Sequence, residues 1–425
     1  MKITPVNSLN GEIRLPGDKS ISHRAAIFSA LAVGETKIEN FASSADCAST
    51  LACLAKLGVE IKREDSVVYV KGVGKNGFSK PTEELDCGNS GTTMRMLSGV
   101  LAGQNFSSTL VGDESLSFRP MKRVIDPLTL MNCRIEAIDN HAPLKIFGNE
   151  KLKAISYEPK IASAQVKSCV LLAGLNALGI TNFTEKVQTR DHTERMLNHF
   201  GVEIQKKNDV LSISGDSVLM AKDLNVASDV SSAAFFLVAA SCLVGSELLL
   251  KNVGLNESRN GIIRVLQDCG ADIQILDEKV LSNEPVGDLL VRSSKNLIAK
   301  GVIRGEVIAN LIDEIPILAV FGTQLENGIE IRDAAELRVK ESDRISTVVE
   351  NLRRMNAEVE EFPDGLRIKK SNLKGAKVDS FGDHRIAMAF AVAALFAEGE
   401  SEIVGSEVAA VSFPEFFSVL RSVSK

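Results

Sequence analysis

The chain has 425 residues, a net charge of −6 and a pI of about 5.6, with 44% hydrophobic and 24% charged residues. This length suits two or three domains. The acidic balance, no Trp and only 2 Tyr argue against a nucleic-acid-binding protein, which needs a basic surface and stacking aromatic rings. The longest apolar runs, 233–244 and 386–397, stop well short of the roughly 20 residues that span a bilayer. An anion site in this protein should therefore be a local pocket for a small ligand.

The cysteines and the N-terminus indicate a reducing compartment. The seven cysteines are scattered, and none forms a C-x-x-C pair, which is unlike a disulfide framework or a metal site. Residues 1–5 lack the apolar region of a signal peptide. We expect a cytoplasmic protein with free thiols and no bound metal.

The first landmark is the segment 15–24, which precedes an apolar helix over 25–33. Ser20 or Ser22 is expected to cap that helix. Its first turn contains three basic residues, although the helix dipole disfavours cations there: Lys19, His23 and Arg24. A bound anion would offset this repulsion, and free backbone N–H groups would help to hold it. The segment predicts an anion site, and the alternative is a solvated basic turn.

The same pattern, a polar cluster followed by a small-residue helix and a strand, begins six times, near residues 18, 89, 163, 229, 313 and 383. A second helix in several copies ends at a residue suited to the left-handed conformation, at Gly58, Gly201, Gly270 and Asn356. Six copies of strand, helix, strand, helix, strand predict an α/β protein with small-residue helices packed on sheets.

Three copies per domain is the natural division of these six repeats. It gives one domain over 17–227 and a second over 1–16 and 228–425, with chain crossings near 16–18 and 226–229. The N-terminal strand, within residues 2–14, is then expected to pair with the C-terminal half.

The helix starts supply the candidate binding residues, because helices of one orientation would bring their N-termini to one face. These residues are mostly cationic or small: Lys19, Ser20, Arg24, Asn89, Ser90, Gly91, Thr92, Arg95, Ser163, Gln165, Lys167, His384 and Arg385, with a further basic cluster at 119–123. Guanidinium groups bind phosphate and carboxylate in a bidentate manner. The set predicts a ligand with more than one anionic group.

Two carboxylates could supply general acid and base chemistry in such a site. Glu341 lies between Lys340 and Arg344, and Asp313 opens the fifth repeat. The alternatives are local charge pairing around Glu341 and helix capping by Asp313. The sequence has no nucleophile elbow, Walker loop or H-E-x-x-H motif.

Four segments, 15–24, 88–95, 338–344 and 383–388, make the whole chain resemble the 5-enolpyruvylshikimate-3-phosphate synthase family. Segments 163–168 and 190–195 are similar to its second bacterial subgroup, many of whose members are less sensitive to glyphosate. The resemblance implies a two-domain enolpyruvyl transferase fold, an inside-out α/β barrel of six βαβαββ units, three per domain, that closes over a cleft.

The resemblance also implies a reaction, in which shikimate 3-phosphate and phosphoenolpyruvate form a tetrahedral intermediate that loses phosphate. Shikimate 3-phosphate would be bound by Lys19, Ser20, Arg24, Ser163, Gln165, Arg190, Asp313 and Lys340. Phosphoenolpyruvate would be bound by Lys19, Gly91, Arg119, Gln165, Arg344 and Arg385. Asp313 would be the base, Glu341 the proton donor, and Lys19 a further catalytic residue. No cofactor or metal, no nucleic-acid or membrane partner and a monomeric state are expected.

Three positions depart from the pattern of some members. Val411 replaces a lysine that touches phosphoenolpyruvate, Glu336 replaces an asparagine near shikimate 3-phosphate, and Gly91 is an alanine in some glyphosate-tolerant members.

Two other functions are compatible with the same fold. A UDP-N-acetylglucosamine enolpyruvyl transferase would have a Lys-Asn pair and a reactive cysteine in a mobile loop, whereas Ser20 follows Lys19 and residues 107–123 contain no Cys. A non-catalytic anion-binding protein of the same fold would not need Asp313 and Glu341 beside the cations.

Overall fold

The chain alternates helices with small sheets in a computed structural model that describes residues 1–425. Its residue contacts separate two units. We call residues 17–226 with 281–284 the N-terminal unit, and residues 1–16, 227–280 and 285–425 the C-terminal unit. Both units mix helices and strands, which confirms the predicted α/β class.

The first half of the chain contains seven helices. They are α1 (Lys19–Leu31), α2 (Ala45–Lys56), α3 (Gly91–Ala102), α4 (Glu114–Ser117), α5 (Lys122–Leu130), α6 (Ala164–Gly174) and α7 (His192–His199). The strands of this half are β1 (Lys2–Ile3), β2 (Asn10–Arg14), β3 (Val33–Glu39), β4 (Glu60–Glu64), β5 (Val67–Val73), β6 (Leu85–Asp86), β7 (Ser107–Val111), β8 (Arg134–Ile138), β9 (His141–Phe147), β10 (Leu152–Lys153), β11 (Ser156–Tyr157), β12 (Ala177–Leu178), β13 (Ile180–Thr184), β14 (Gln205–Lys207), β15 (Val210–Ser214) and β16 (Leu224–Asn225).

Three four-stranded sheets in the N-terminal unit share one pattern, with orders β16-β3-β5-β4, β6-β7-β9-β8 and β11-β13-β15-β14. In each sheet the first two strands are parallel and the remaining neighbours are antiparallel. Strand β16 from the third repeat pairs with β3 of the first, with Leu224 beside Ile38. This pairing joins the end of the third repeat to the sheet of the first.

The second half of the chain contains α8 (Val230–Cys242), α9 (Gly261–Asp268), α10 (Val307–Leu311), α11 (Ile315–Gly322), α12 (Arg344–Arg354), α13 (His384–Phe396), α14 (Phe416–Val423) and the 3₁₀ helices Ala335–Val339 and Ser406–Val411. Its strands are β17 (Glu247–Gly254), β18 (Asp272–Leu281), β19 (Glu284–Arg292), β20 (Val302–Ile303), β21 (Ile329–Ile331), β22 (Val359–Phe362), β23 (Gly365–Ile368), β24 (Lys377–Asp379) and β25 (Ser401–Val404).

The N-terminal segment completes two sheets of the C-terminal unit. Strand β2 lies parallel to β17, with Asn10 beside Glu247, and β1 lies antiparallel to β25, with Lys2 beside Glu402. The predicted pairing of this segment with the C-terminal half is therefore confirmed. The sixth repeat supplies only β24 and β25 to a three-stranded sheet whose third strand is β1.

Local sequence explains how these elements begin and end. Gly58, Gly201, Gly270 and Asn356 have φ values of 89°, 85°, 96° and 65°, as predicted for left-handed residues after helices. Helices α8 and α13 are buried along almost their whole length, which suits their alanine-rich sequences. No helix has both the length and the apolar character needed to cross a membrane.

The predicted cap of α1 was wrong. Asp18 is the N-cap, and its carboxylate accepts a hydrogen bond from the Ile21 amide at 2.8 Å. Because the helix begins at Lys19, Ser20 and Ser22 lie inside it, and the Ser22 hydroxyl instead accepts a hydrogen bond from the Ala42 amide.

Candidate active site

The start of α1 presents a lysine paired with an acid from the next helix. Lys19 Nζ lies 3.0 Å from Asp46 Oδ2, and both side chains are largely buried. Asp46 is in the first turn of α2, where Ser44 caps the helix. The two helices therefore hold the Lys19 ammonium in a defined place.

Arg24 is buried one turn further along α1 and uses all three guanidinium nitrogens. Nε donates to Thr193 Oγ1, Nη1 to the Ser20 carbonyl and Nη2 to Ser168 Oγ, each at 2.8 Å. Burial lowers the pKa of Arg24 to about 10, with a further lowering by Arg190 and an opposing effect of Glu194.

Arg190 contacts the same turn, since its Nη1 donates to Ser20 Oγ at 3.2 Å. Two guanidinium groups at one helix start repel each other. A doubly charged anion bound to both would relieve that repulsion.

The start of α3 forms a second cationic group within the N-terminal unit. Arg95 Nη1 donates to Gln165 Oε1 at 2.6 Å, and Gln165 Nε2 donates to Thr92 Oγ1 at 2.9 Å. Arg119 Nη2 donates to Asn89 Oδ1 at 2.7 Å. These bonds join α3, α6 and the segment after α4 through side chains that were predicted from sequence.

Gly91 leaves room for this arrangement. A Cβ at this position would lie 2.8 Å from Arg95 Nη1 and 3.5 Å from Arg119 Nη1. The absence of a side chain therefore lets Arg95 approach the first turn of α3, whereas the distance to Arg119 is an ordinary contact.

The third repeat places Ser163 at the N-cap of α6, where its hydroxyl accepts from the Val166 amide at 3.4 Å. The expectation that Lys167 belongs to the anion-binding set is not supported. Its side chain is fully buried, with Nζ 2.8 Å from Glu185 Oε1 and 2.7 Å from Glu194 Oε1. An ammonium already compensated by two carboxylates has little capacity for a ligand.

In the C-terminal unit, arginines surround the carboxylate of Asp313. Arg344 Nη1 lies 3.5 Å from Oδ1, while Arg385 Nη2 and Arg259 Nη1 lie 3.8 and 4.0 Å from Oδ2. Arg385 Nη1 also donates to the Asp313 carbonyl at 2.9 Å. The carboxylate is thus oriented beside two of the predicted ligand-binding arginines.

Glu341 shares one of those arginines, because Arg344 Nη2 donates to Glu341 Oε2 at 2.6 Å. Lys340 is close to both acids. Burial lowers the pKa of Lys340, and this effect is opposed by Asp313, Glu341 and Glu336. The five predicted residues of this unit, Asp313, Lys340, Glu341, Arg344 and Arg385, are therefore in one electrostatic cluster.

Three buried residues near these clusters were missed as participants: Asp46, Arg259 and Glu314. Glu314 Oε1 accepts a hydrogen bond from Ser231 and lies 3.6 Å from Arg259 Nη1 and 3.8 Å from Arg385 Nη1. Comparing repeats could have found two of them. Asp46 lies in the first turn of the second helix of its repeat, and Arg259 lies just before the second helix of its own repeat. Glu314 is the N-cap position of α11, although its side chain makes no capping hydrogen bond.

Two further points of the sequence analysis concern Val411 and the binding of metal ions. Val411 ends a 3₁₀ helix and brings no charge. No group of His, Cys, Asp and Glu side chains is arranged to hold a metal ion.

Comparison with known proteins shows the family of the chain. A family model described as EPSP synthase (3-phosphoshikimate 1-carboxyvinyltransferase) matches residues 3–420. Curated proteins named 3-phosphoshikimate 1-carboxyvinyltransferase are 50% identical in Solibacter usitatus and 48% identical in Bacillus licheniformis, covering 100% of this chain and 99% and 100% of those proteins.

A solved structure of EPSP synthase from Acinetobacter baumannii is 39% identical, has a TM-score of 0.89, and covers 100% of this chain and 98% of that one. Because sequence and fold agree along the full length, the chain belongs to the EPSP synthase family, the 3-phosphoshikimate 1-carboxyvinyltransferases.

Proposed function

We propose that Asp313 and Glu341 are the base and acid of the reaction that this chain catalyses. The enzyme transfers the enolpyruvyl group of phosphoenolpyruvate to the 5-hydroxyl of shikimate 3-phosphate and releases phosphate. The observation that supports the roles best is that both carboxylates contact one buried guanidinium, Arg344. A shared partner fixes the position of each acid relative to the other.

In the addition step, Asp313 takes the proton of the 5-hydroxyl group, and the hydroxyl oxygen forms a bond to C2 of phosphoenolpyruvate. Glu341 delivers a proton to the methylene carbon, which becomes a methyl group in the tetrahedral intermediate. In the elimination step the methyl group returns a proton to the Glu341 carboxylate, the C–O bond to phosphate breaks, and the enolpyruvyl double bond forms. The leaving phosphate takes the proton that Asp313 removed from the hydroxyl, so both carboxyl groups regain their starting states. Lys19 supplies positive charge for the anionic oxygens that develop and leave.

Shikimate 3-phosphate is assigned to Lys19, Ser20, Arg24, Ser163, Gln165, Arg190, Asp313 and Lys340. The direct contact of Arg190 with Ser20 and the buried position of Arg24 beside it support a phosphate at this helix start. The phosphate would accept hydrogen bonds from the guanidinium groups and offset their repulsion.

Phosphoenolpyruvate is assigned to Lys19, Gly91, Arg119, Gln165, Arg344 and Arg385. Its carboxylate and phosphate require several cations, and Arg119, Arg344 and Arg385 are all more than nine-tenths buried. Buried guanidinium groups held by other side chains need little reorganisation when the substrate binds.

The test is the release of phosphate from shikimate 3-phosphate and phosphoenolpyruvate. Asp313→Asn and Glu341→Gln should each lower kcat by at least about 100-fold, a typical contribution of a positioned acid or base. Matched exposed controls are Asp268→Asn and Glu350→Gln, which should retain wild-type kcat.

Turnover by both site variants at the wild-type rate would refute the assigned roles, and an inactive wild type would refute the reaction. UDP-N-acetylglucosamine in place of shikimate 3-phosphate should give no phosphate release, which tests the other enolpyruvyl transfer.

We extend the proposal to a cytoplasmic monomer whose partners are these two small molecules and not nucleic acid. Light scattering of the purified chain should give a mass close to 45.7 kDa. A stable mass of twice that value would contradict the monomer.

A further inference from the structure

The ammonium of Lys167 is fully buried, although the rest of α6 is mostly apolar and gives no reason for a charge at this position. Helix α6 is otherwise made of small and apolar residues from Val166 to Gly174, apart from Ser168. Removing an ammonium from water costs several kcal/mol unless it is well paired. An aliphatic residue would pack at this position without that cost.

The partners of Lys167 lie on two elements that follow α6 in the chain. Glu185 comes directly after β13, and its Oε1 also accepts hydrogen bonds from the amide and hydroxyl of Thr189. Glu194 is in the first turn of α7. Lys167 thus ties both ends of the segment 185–194 to α6.

That segment contains the contacts of the arginines assigned to shikimate 3-phosphate. Arg190 lies inside it, and Thr193 accepts the hydrogen bond from Arg24 Nε. Ser168, the residue after Lys167, bonds to Thr193 at 2.7 Å and accepts from Arg24 Nη2. The ion triad and the arginine pair are therefore joined through adjacent residues on two elements.

We infer that Lys167 is a positioning residue for the binding of shikimate 3-phosphate, because its bonds to Glu185 and Glu194 hold the segment 185–194 in the place where Arg24 and Arg190 meet the phosphate. This inference rests on the proposed function. It gives Lys167 no contact with either substrate.

The charge balance agrees with this role. Glu194 opposes the lowering of the Arg24 pKa, so the triad supplies negative charge near the arginine pair. Burial raises the pKa of Glu194 itself, and Lys167 opposes that rise. Loss of Lys167 would weaken the ionised form of Glu194 and its support of Arg24.

Phosphoenolpyruvate provides the internal comparison. Its assigned contact on α6 is Gln165, which it shares with shikimate 3-phosphate and which is held by Arg95 and Thr92 and not by the segment 185–194. Arg24 and Arg190, which that segment contacts or contains, are assigned to shikimate 3-phosphate alone. A change at Lys167 should therefore affect the two substrates unequally.

The experiment uses Lys167→Met and the neutral triple variant K167M/E185Q/E194Q of the full chain. The single variant leaves two buried carboxylates without compensation, which threatens folding. The triple variant removes all three charges with little change in volume. In the triple variant, and in the single variant if it folds, KM and calorimetric Kd for shikimate 3-phosphate should rise about 10- to 100-fold, while KM for phosphoenolpyruvate stays within about twofold. Lys186→Met, at an exposed lysine paired with Glu158, is the matched control and should leave both values unchanged.

The outcomes separate the inference from the proposed function. An active wild type with an unchanged Kd for shikimate 3-phosphate in the triple variant, whatever its melting temperature, would overturn the positioning role. An equal rise for both substrates would also overturn it, because it would show general damage to the unit. A wild type without turnover would instead refute the proposed reaction.

Discussion

Arg344 and Asp383 form a buried two-point contact, in which Nε donates to Oδ2 at 2.7 Å and Nη2 donates to Oδ1 at 3.3 Å. Asp383 Oδ1 also accepts from the Arg385 amide at 2.8 Å and caps α13. One carboxylate therefore orients the side chain of Arg344 and the helix start that contains Arg385. Although burial acts to lower the pKa of Arg344, Asp383 and Glu341 raise it.

Asp383→Asn should separate these two tasks. Asparagine still caps a helix, so α13 should remain, but Arg344 loses the one of its three carboxylate partners that is fully buried, and keeps Glu341 and Asp313. Breaking a buried pair costs about 3–5 kcal/mol, and we expect a loss of this size in the free energy of unfolding measured with urea. KM for phosphoenolpyruvate should also rise. Glu350→Gln, which removes an exposed pair with Arg354, should cost no more than about 1 kcal/mol. Equal losses in the two variants would contradict this account.

Gly91→Ala should weaken phosphoenolpyruvate binding more than shikimate 3-phosphate binding. The new methyl group would lie 2.8 Å from Arg95 Nη1 and 3.5 Å from Arg119 Nη1, at a position and beside an arginine that are both assigned to phosphoenolpyruvate alone. We expect KM for phosphoenolpyruvate to rise by about tenfold, which is 1.4 kcal/mol, as measured by steady-state kinetics.

Gly261→Ala is the matched control for Gly91→Ala, because Gly261 also begins a helix and its Cβ would meet a side chain, Asn310, at 2.7 Å. It should change stability without a selective effect on phosphoenolpyruvate. A selective effect of Gly261→Ala alone would contradict the assignment of Gly91.

The buried imidazole of His23 predicts a loss of stability in mild acid. Burial lowers the pKa of His23 well below its usual value, and Lys19 and Arg24 lower it further. Below about pH 6.5 the unfolded chain binds a proton that the folded chain does not. The free energy of unfolding therefore decreases as the pH is lowered, by at most about 1.4 kcal/mol per pH unit for this group. The loss continues until the pH reaches the lowered pKa of the folded state.

His23→Gln should reduce this slope, because glutamine retains a polar group for Thr50, the present partner of His23. Urea unfolding of both proteins between pH 7 and pH 5 measures the difference. The partly buried His199 has a pKa lowered mainly by burial, but it is present in both proteins and cancels. Identical slopes would show that His23 is not the titrating group.

The cysteine thiols should react slowly with alkylating reagents in the folded protein, and all of them should react after unfolding. All seven are free, and burial raises the pKa of Cys47 and Cys133 to about 12 and that of Cys269 to about 11. The nucleophile in alkylation is the thiolate, so iodoacetamide at pH 8 should label the native chain slowly. Urea without reductant should expose seven thiols, and a lower number would indicate a disulfide.

Repeats and left-handed turns could be predicted because each depends on residues close in sequence. Gly58 and Asn356 illustrate this, since the backbone conformation after a helix is set locally. The cap of α1 depends on where the helix begins. The helix begins two residues earlier than a cap at Ser20 requires, so Asp18 is the N-cap.

Contacts between individual side chains on distant elements could not be predicted from the local sequence. The charge of Lys167 suggested a ligand contact, but its partners Glu185 and Glu194 are brought to it only by the fold of the third repeat. Asp383 was part of a recognised motif, and yet nothing in its neighbourhood indicated a contact with Arg344.

The pairing of β1 with β25 has a consequence for synthesis of the chain. Lys2 is synthesised first and its partner Glu402 near the end of translation. Strand β2 likewise can pair only after β17 has been synthesised. Contacts between such distant residues form slowly because loop closure is costly. During translation nearly all of the N-terminal unit can therefore fold first, while residues 1–16 stay unpaired beside it. The C-terminal unit becomes complete only after the last repeat has emerged, so nascent chains halted before residue 401 should be recognisable by an N-terminus open to proteases.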